Sequence, residues 1–124
     1  MKRQEAMIEA VALLGRYAQA VDAGDADAIA RLFAEDARVE GFVSRPVMEG
    51  RDEIRAFFAG RTPGPERHHV TSVDAELGDD GILRARSYLL VTGLDAPMIA
   101  VYSDELAERD GGWVFRNRVV RVET

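Results

Sequence analysis

The chain predicts an α+β domain, cone-shaped, with three N-terminal helices packed on a curled, mainly antiparallel β-sheet. Three observations carry that expectation. Apolar residues recur at three and four through the early segments and alternate at strand spacing from residue 67 onward. Glycine–aspartate clusters at 78–81 and 110–112 then punctuate strand-like segments as turns do. Helices first and an antiparallel meander after is the order of an α+β fold.

The elements follow in order. Residues 4–22 read as a helix, with Met7, Val11, Leu14, Ala18 and Val21 in one stripe and Ile8 and Tyr17 flanking it. Gly24 suits its C-terminal cap, and Asp25 or Asp27 suits the N-cap of a short second helix running through Leu32 and Phe33. Residues 37–43 alternate as a first strand. Residues 50–60 form a third helix with Ile54, Phe57 and Phe58 on its inner side. The segment 62–65, with two prolines around a glycine, is a loop. Strands are expected near 67–77, 82–93, 97–108 and 112–122. Nothing divides the chain, so residues 1–124 are expected to be one domain.

Composition narrows the function. Apolar residues make up 47% of 124, enough for a core. A net charge of −6, with arginines scattered among carboxylates, argues against a nucleic-acid surface. Zero cysteines exclude disulfides, thiolate metal sites and a cysteine nucleophile. No apolar run approaches the roughly 20 residues that span a bilayer, and the N-terminus lacks a secretory apolar stretch. A cytoplasmic protein is expected. A curled sheet closed by helices leaves an apolar pocket, the default ligand site.

Groups able to move protons are few. Tyr17 borders the apolar stripe, so its ring is a core residue or a hydrogen-bond donor to a ligand. Asp22 lies five residues on, roughly 140° further round the helix. His68 and His69 point to opposite faces of a regular strand. Alternation groups His69 with Thr71, Val73, Ala75 and Leu77, which assigns the core side to His69. Asp104 falls mid-strand, where solvation is the plain reading, and Arg118 suits a salt bridge. No histidine or carboxylate spacing suggests a metal, and no glycine-rich phosphate loop is present.

Several ordered segments carry a family resemblance: RYAQAVDAGD at 16–25, LFAEDA at 32–37, GRDEIRAFF at 50–58, RHHVTS at 67–72 and the strand with Trp113. Together they resemble the SnoaL-like branch of the nuclear transport factor two-like superfamily, of cystatin-like fold. The superfamily includes ketosteroid isomerases, scytalone dehydratase, bile-acid dehydratases and polyketide cyclases. The resemblance implies that Tyr17 lines the pocket. It also implies that the Tyr17–Asp22 spacing matches the catalytic pair of the bile-acid dehydratases and that their histidine aligns with His68, against the alternation. In the isomerases an aspartate at the place of Asp104 is a protonated oxyanion donor beside the tyrosine. Their general base falls at Gly41 here, so ordinary steroid isomerisation is not expected. Gly41→Asp would rebuild that site if Tyr17 and Asp104 already form the oxyanion hole.

The expectation is a cofactor-free lyase (dehydratase) or isomerase acting on a small, largely apolar oxygenated molecule. Tyr17, Asp22 and His68 are the catalytic candidates; His69, Asp104, Asn117, Arg118 and Phe57 are the substrate-facing ones. The alternatives are a non-catalytic binding or interaction module and a partner subunit like those of ring-hydroxylating dioxygenases. A homodimer is expected, because strands apolar on both faces leave one face uncovered by three short helices.

Overall fold

The computed structural model describes residues 3–123. Helix α1 (Arg3–Ala23) leads into α2 (Ala26–Arg31), strand β1 (Phe33–Glu40), strand β2 (Val47–Glu49) and helix α3 (Arg51–Ala59). Strands β3 (Arg67–Leu77), β4 (Leu83–Thr92), β5 (Met98–Arg109) and β6 (Gly112–Val122) follow. They form one six-stranded curled, open sheet in the order β2-β1-β6-β5-β4-β3. Every pairing is antiparallel except β1 with β6. The predicted α+β architecture is present, with one parallel joint.

Helix α1 presents Ala6, Ala10, Leu13, Leu14, Tyr17 and Ala18 to the sheet. This corrects the predicted stripe, because Ile8 and Val11 are exposed and Tyr17 stands inside the buried face. Alanines on the inner side let the helix approach the strands closely, and a count of large apolar residues overlooks them. Burying Leu13 and Leu14 contributes about 1.5–3 kcal/mol each. At the helix end, Gly24 (φ 69°) turns the chain and its N–H donates to Val21 O at 3.0 Å. Asp25 then caps α2, its carboxylate accepting from the Ala28 N–H at 3.0 Å.

The first strand begins earlier than predicted. The Phe115 N–H donates to Leu32 O at 2.8 Å, which draws residues 33–40 out of the helical run and alongside β6. Parallel pairing between chain segments this far apart leaves no mark on local periodicity. Strand β2, only Val47–Glu49, was not anticipated.

A second irregularity decides which histidine faces inward. Thr71 pairs with Tyr88 and Asp74 with Arg86, so Ser72 and Val73 together oppose Ser87. Ser72 has φ 56°, and this bulge reverses the facing of the strand. Beyond it Val73, Ala75 and Leu77 are the more buried positions, whereas before it His68 and Val70 are. The alternation that favoured His69 is valid only on one side of the bulge.

Gly41 follows β1 with φ 111°, and a Cβ there would sit 1.8 Å from Val120 O. Only glycine fits, so an aspartate cannot be grafted at this position and the rebuilt-isomerase expectation fails. Gly41→Ala is expected to lower stability by more than the ~1–3 kcal/mol of a disfavoured φ alone. Urea denaturation of the variant beside the parent protein measures it; an unchanged midpoint would contradict the steric argument.

Candidate functional site

The inner face of β5 carries Met98, Ala100, Tyr102, Asp104 and Leu106 at alternate positions, and Arg118 lies directly opposite Asp104 on β6. The Arg118 Nε donates to Asp104 Oδ1 at 2.7 Å and Nη2 donates to Oδ2 at 2.8 Å. Both side chains are fully buried. This corrects the solvated reading of Asp104, and it places Arg118 in the salt bridge expected of it. Three rings complete the enclosure: the Arg118 Cζ lies 4.4 Å from the Tyr17 centroid, 3.7 Å from Tyr102 and 4.3 Å from Phe115. Burial pulls the guanidinium pKa down, but the Asp104 charge and hydrogen bonds overcome it and the net direction is up. The guanidinium remains charged.

Tyr17 links this buried charge to the pocket. Its ring packs edge-on against Phe33, Phe58, Tyr102 and Phe115 at centroid distances of 6.0, 6.2, 6.2 and 5.8 Å. Burial raises its pKa, with the Arg118 charge opposing that rise only in part. Burial raises Tyr102 in the same way. Both phenols therefore stay protonated at neutral pH and can donate.

Beside them a cavity of about 160 Å³ opens between α1, α3 and the sheet. Tyr17, Phe58, Leu89, Tyr102 and Val120 form its inner wall, His68 one side, and the exposed Val43 and Arg61 its rim. A smaller recess of about 30 Å³ adjoins it, lined by Asp22, Arg61, Thr62, Glu66 and His68. Its wall is held where Pro63 packs on Gly24; a Cβ on Gly24 would lie 2.8 Å from Pro63 Cγ.

Asp22 and His68 meet where cavity and recess join. The His68 backbone N–H donates to Asp22 Oδ1 at 3.1 Å and to Oδ2 at 3.2 Å. The ring Nδ1 lies 2.7 Å from Oδ1. An ionised carboxylate only accepts, so Nδ1 carries the hydrogen of that contact and Nε2 is left as the ring nitrogen for other partners. The two side chains are 17% and 16% exposed, sheltered yet reachable. The last turn of α1 and the first residues of β3 thus build one acid–base pair.

Other expectations move. His69 faces outward, its Nε2 2.9 Å from Thr92 Oγ1. Asn117 lines an open groove on the outer sheet face with Glu105 and Arg86, outside the cavity. Phe57 packs on Phe42 at 5.0 Å and lies under Arg61, while its neighbour Phe58 takes the cavity wall. Tyr102 and Arg61 went unnoticed in the sequence. Tyr102 was within reach, because it stands two residues before Asp104 and must share its face. Among the described residues no three histidine or carboxylate groups cluster as a metal site requires.

Asp104→Ala is expected to destabilise the fold by about 3–5 kcal/mol, since it leaves Arg118 charged, buried and unpaired. Chemical denaturation checks the figure. A loss below 1 kcal/mol would mean that Arg118 finds another partner or reaches water.

Comparison with known proteins places the fold. The SnoaL-like domain model matches residues 3–119. Among solved structures, the ActVI-ORFA protein of Streptomyces coelicolor is 25% identical, with 94% of this chain and 96% of that one covered and a TM-score of 0.79. A scytalone dehydratase-like protein of Novosphingobium aromaticivorans is 22% identical over 95% of this chain and 84% of its own, with a TM-score of 0.80. A Nostoc punctiforme protein of unknown function with a cystatin-like fold is 22% identical over 94% and 90%, with a TM-score of 0.81. The match over nearly the whole chain makes this protein a member of the SnoaL-like family.

Proposed function

We propose that the protein is a cofactor-independent lyase of the dehydratase type, or an isomerase, acting by proton transfer on a small, largely apolar oxygenated molecule. The observation that carries the reading is the Asp22–His68 pair, whose imidazole lines an apolar cavity that a protonated tyrosine also lines while its carboxylate lines the adjoining recess. In a dehydration, Tyr17 donates a hydrogen bond to the substrate carbonyl oxygen. His68 Nε2 takes the proton from the carbon beside that carbonyl, and the electron pair of the broken C–H bond is held as an enolate. The enolate then collapses to a C=C bond and expels the β-hydroxyl, which leaves as water with the proton from the imidazolium. Asp22 holds the ring and stabilises its cationic form, so it orients the base rather than acting as one. In an isomerisation the imidazolium returns the proton to a different carbon. The resemblance to a scytalone dehydratase-like structure suits this chemistry and shows only the fold.

The cavity volume bears on the substrate. An engineered apolar cavity of about 150 Å³ holds benzene, and this one, of about 160 Å³, is of one-ring size. A four-ring steroid is far larger. The same modest volume, bounded by packed rings, is what a non-catalytic ligand-binding module would also show, and it supports that second reading.

A neutral β-hydroxycyclohexanone is a suitable probe, because its dehydration yields a conjugated enone followed by absorbance. His68→Ala and Asp22→Asn are each expected to reduce turnover about 10²–10⁴-fold with little change in melting temperature. Turnover retained in both variants, or absent from the parent protein across such probes, would leave the binding module as the better account.

The homodimer belongs to the same proposal, as does a cytoplasmic setting, which the lack of cysteine suits. No helix among the described residues is long and apolar enough to cross a membrane. On the outer sheet face Tyr88 is 47% exposed, and a two-fold copy would cover it. Light scattering at micromolar concentration is expected to give twice the 13.7 kDa chain mass; a monomer mass would refute the pairing.

A further inference from the structure

Arg61 stands just past the C-terminal cap of α3, its backbone N–H bonded to Phe58 O at 3.1 Å. Its side chain, though exposed, lies along the cavity rim. The guanidinium Cζ lies 5.2 Å from the Phe57 centroid and 5.9 Å from that of Phe42, so two ring faces steady it. In that position it lines both the cavity and the adjoining recess. Many arginines of this acidic chain find a carboxylate: Arg38 with Glu49, Arg45 with Glu53, Arg55 with Asp27 and Arg84 with Asp80. Among the described residues Arg61 has no carboxylate within 4.0 Å, although Asp22 and Glu66 line the same recess. Asp22 is already taken up by His68.

We infer that Arg61 is a specificity-determining residue that binds a carboxylate carried by the substrate, so that the ligand class is a one-ring or short-chain carboxylic acid. This rests on the proton-transfer reading for the identity of the ligand as a substrate, and on the cavity alone for its size. The apolar body fills the space between Leu89, Val120 and Phe58, and the carboxylate meets the planar fork of the guanidinium at the rim. The cation is already stacked, so little side-chain entropy is lost when the anion arrives. A carboxylate fits better than a phosphate: one guanidinium balances one negative charge, whereas a phosphate monoester brings about −1.5 to −2 toward Asp22 and Glu66. Bound this way, the ring of the ligand reaches His68 and Tyr17, which line the same cavity.

The test is binding, which needs no turnover. Benzoate and its neutral counterpart benzamide are titrated by calorimetry or by methyl-region NMR into the parent protein and into Arg61→Gln. Benzoate is expected to bind about tenfold more tightly than benzamide at low ionic strength, with the preference shrinking as salt rises. In Arg61→Gln the preference is expected to vanish while benzamide affinity stays the same. Arg61 is exposed and outside the core, so the variant retains its fold, and the salt series tests the charge without any substitution. Equal affinities in the parent protein, a preference that survives in Arg61→Gln or resists salt, or binding of neither probe would overturn the inference. Failure here is distinct from failure of the proton-transfer reading. The β-hydroxycyclohexanone assay uses a neutral probe that brings no carboxylate to Arg61, while benzoate preference is expected to persist in Asp22→Asn.

Discussion

A guanidinium with no solvent contact sits at the centre of this fold, and much of the structure is arranged around keeping it charged. Withdrawing such an ion from water costs several kcal/mol even after relaxation. The Arg118 charge is offset by a two-pronged contact with Asp104 and by the faces of three rings. Because Asp104 and Arg118 are register partners, their contact also ties β5 to β6 at one alignment. Tyr17 reaches the same charge from α1, which joins the helical layer to the sheet through a ring with one face on a cation. The two tyrosines that line the cavity thus owe their placement to an ion that takes no part in lining it.

The ordered pattern of apolar periods was enough to read three helices and five of the six strands, all but the short β2, since those features are local. What escaped was non-local. Strand β1 starts at Phe33 because Phe115, far along the chain, supplies a hydrogen-bonding partner to Leu32. Half of the buried positions on the sheet-facing side of α1 are alanines, which a search for large apolar residues passes over. Asp104 read as solvated because nothing in its own strand announces Arg118 across the ladder.

The candidate site was read by another route. Tyr17 and Asp22 were singled out by the resemblance, whose tyrosine-to-aspartate spacing they match; helix geometry alone left Tyr17 readable as a core residue and Asp22 about 140° away from it. His68 came from the resemblance against the evidence of alternation, and the reason lies in Ser72, whose left-handed backbone no sequence rule flagged. Arg61 was silent because an arginine after a helix end looks like any solvated cation. Its meaning depends on Phe42 and Phe57, brought together only by the tertiary fold.

The bulge at Ser72 also sets which of the two tandem histidines faces the interior. Strand pairing slips more readily than a helix re-forms, and a slip by one residue that irons out the bulge would turn His68 outward and bring His69 opposite Val91 in its place. With two histidines in tandem, either alignment delivers an imidazole to the interior within reach of the helix that carries Asp22. A doublet of this kind makes the inward imidazole insensitive to a one-residue change of register: whichever way the strand pairs, one of the two rings faces the interior.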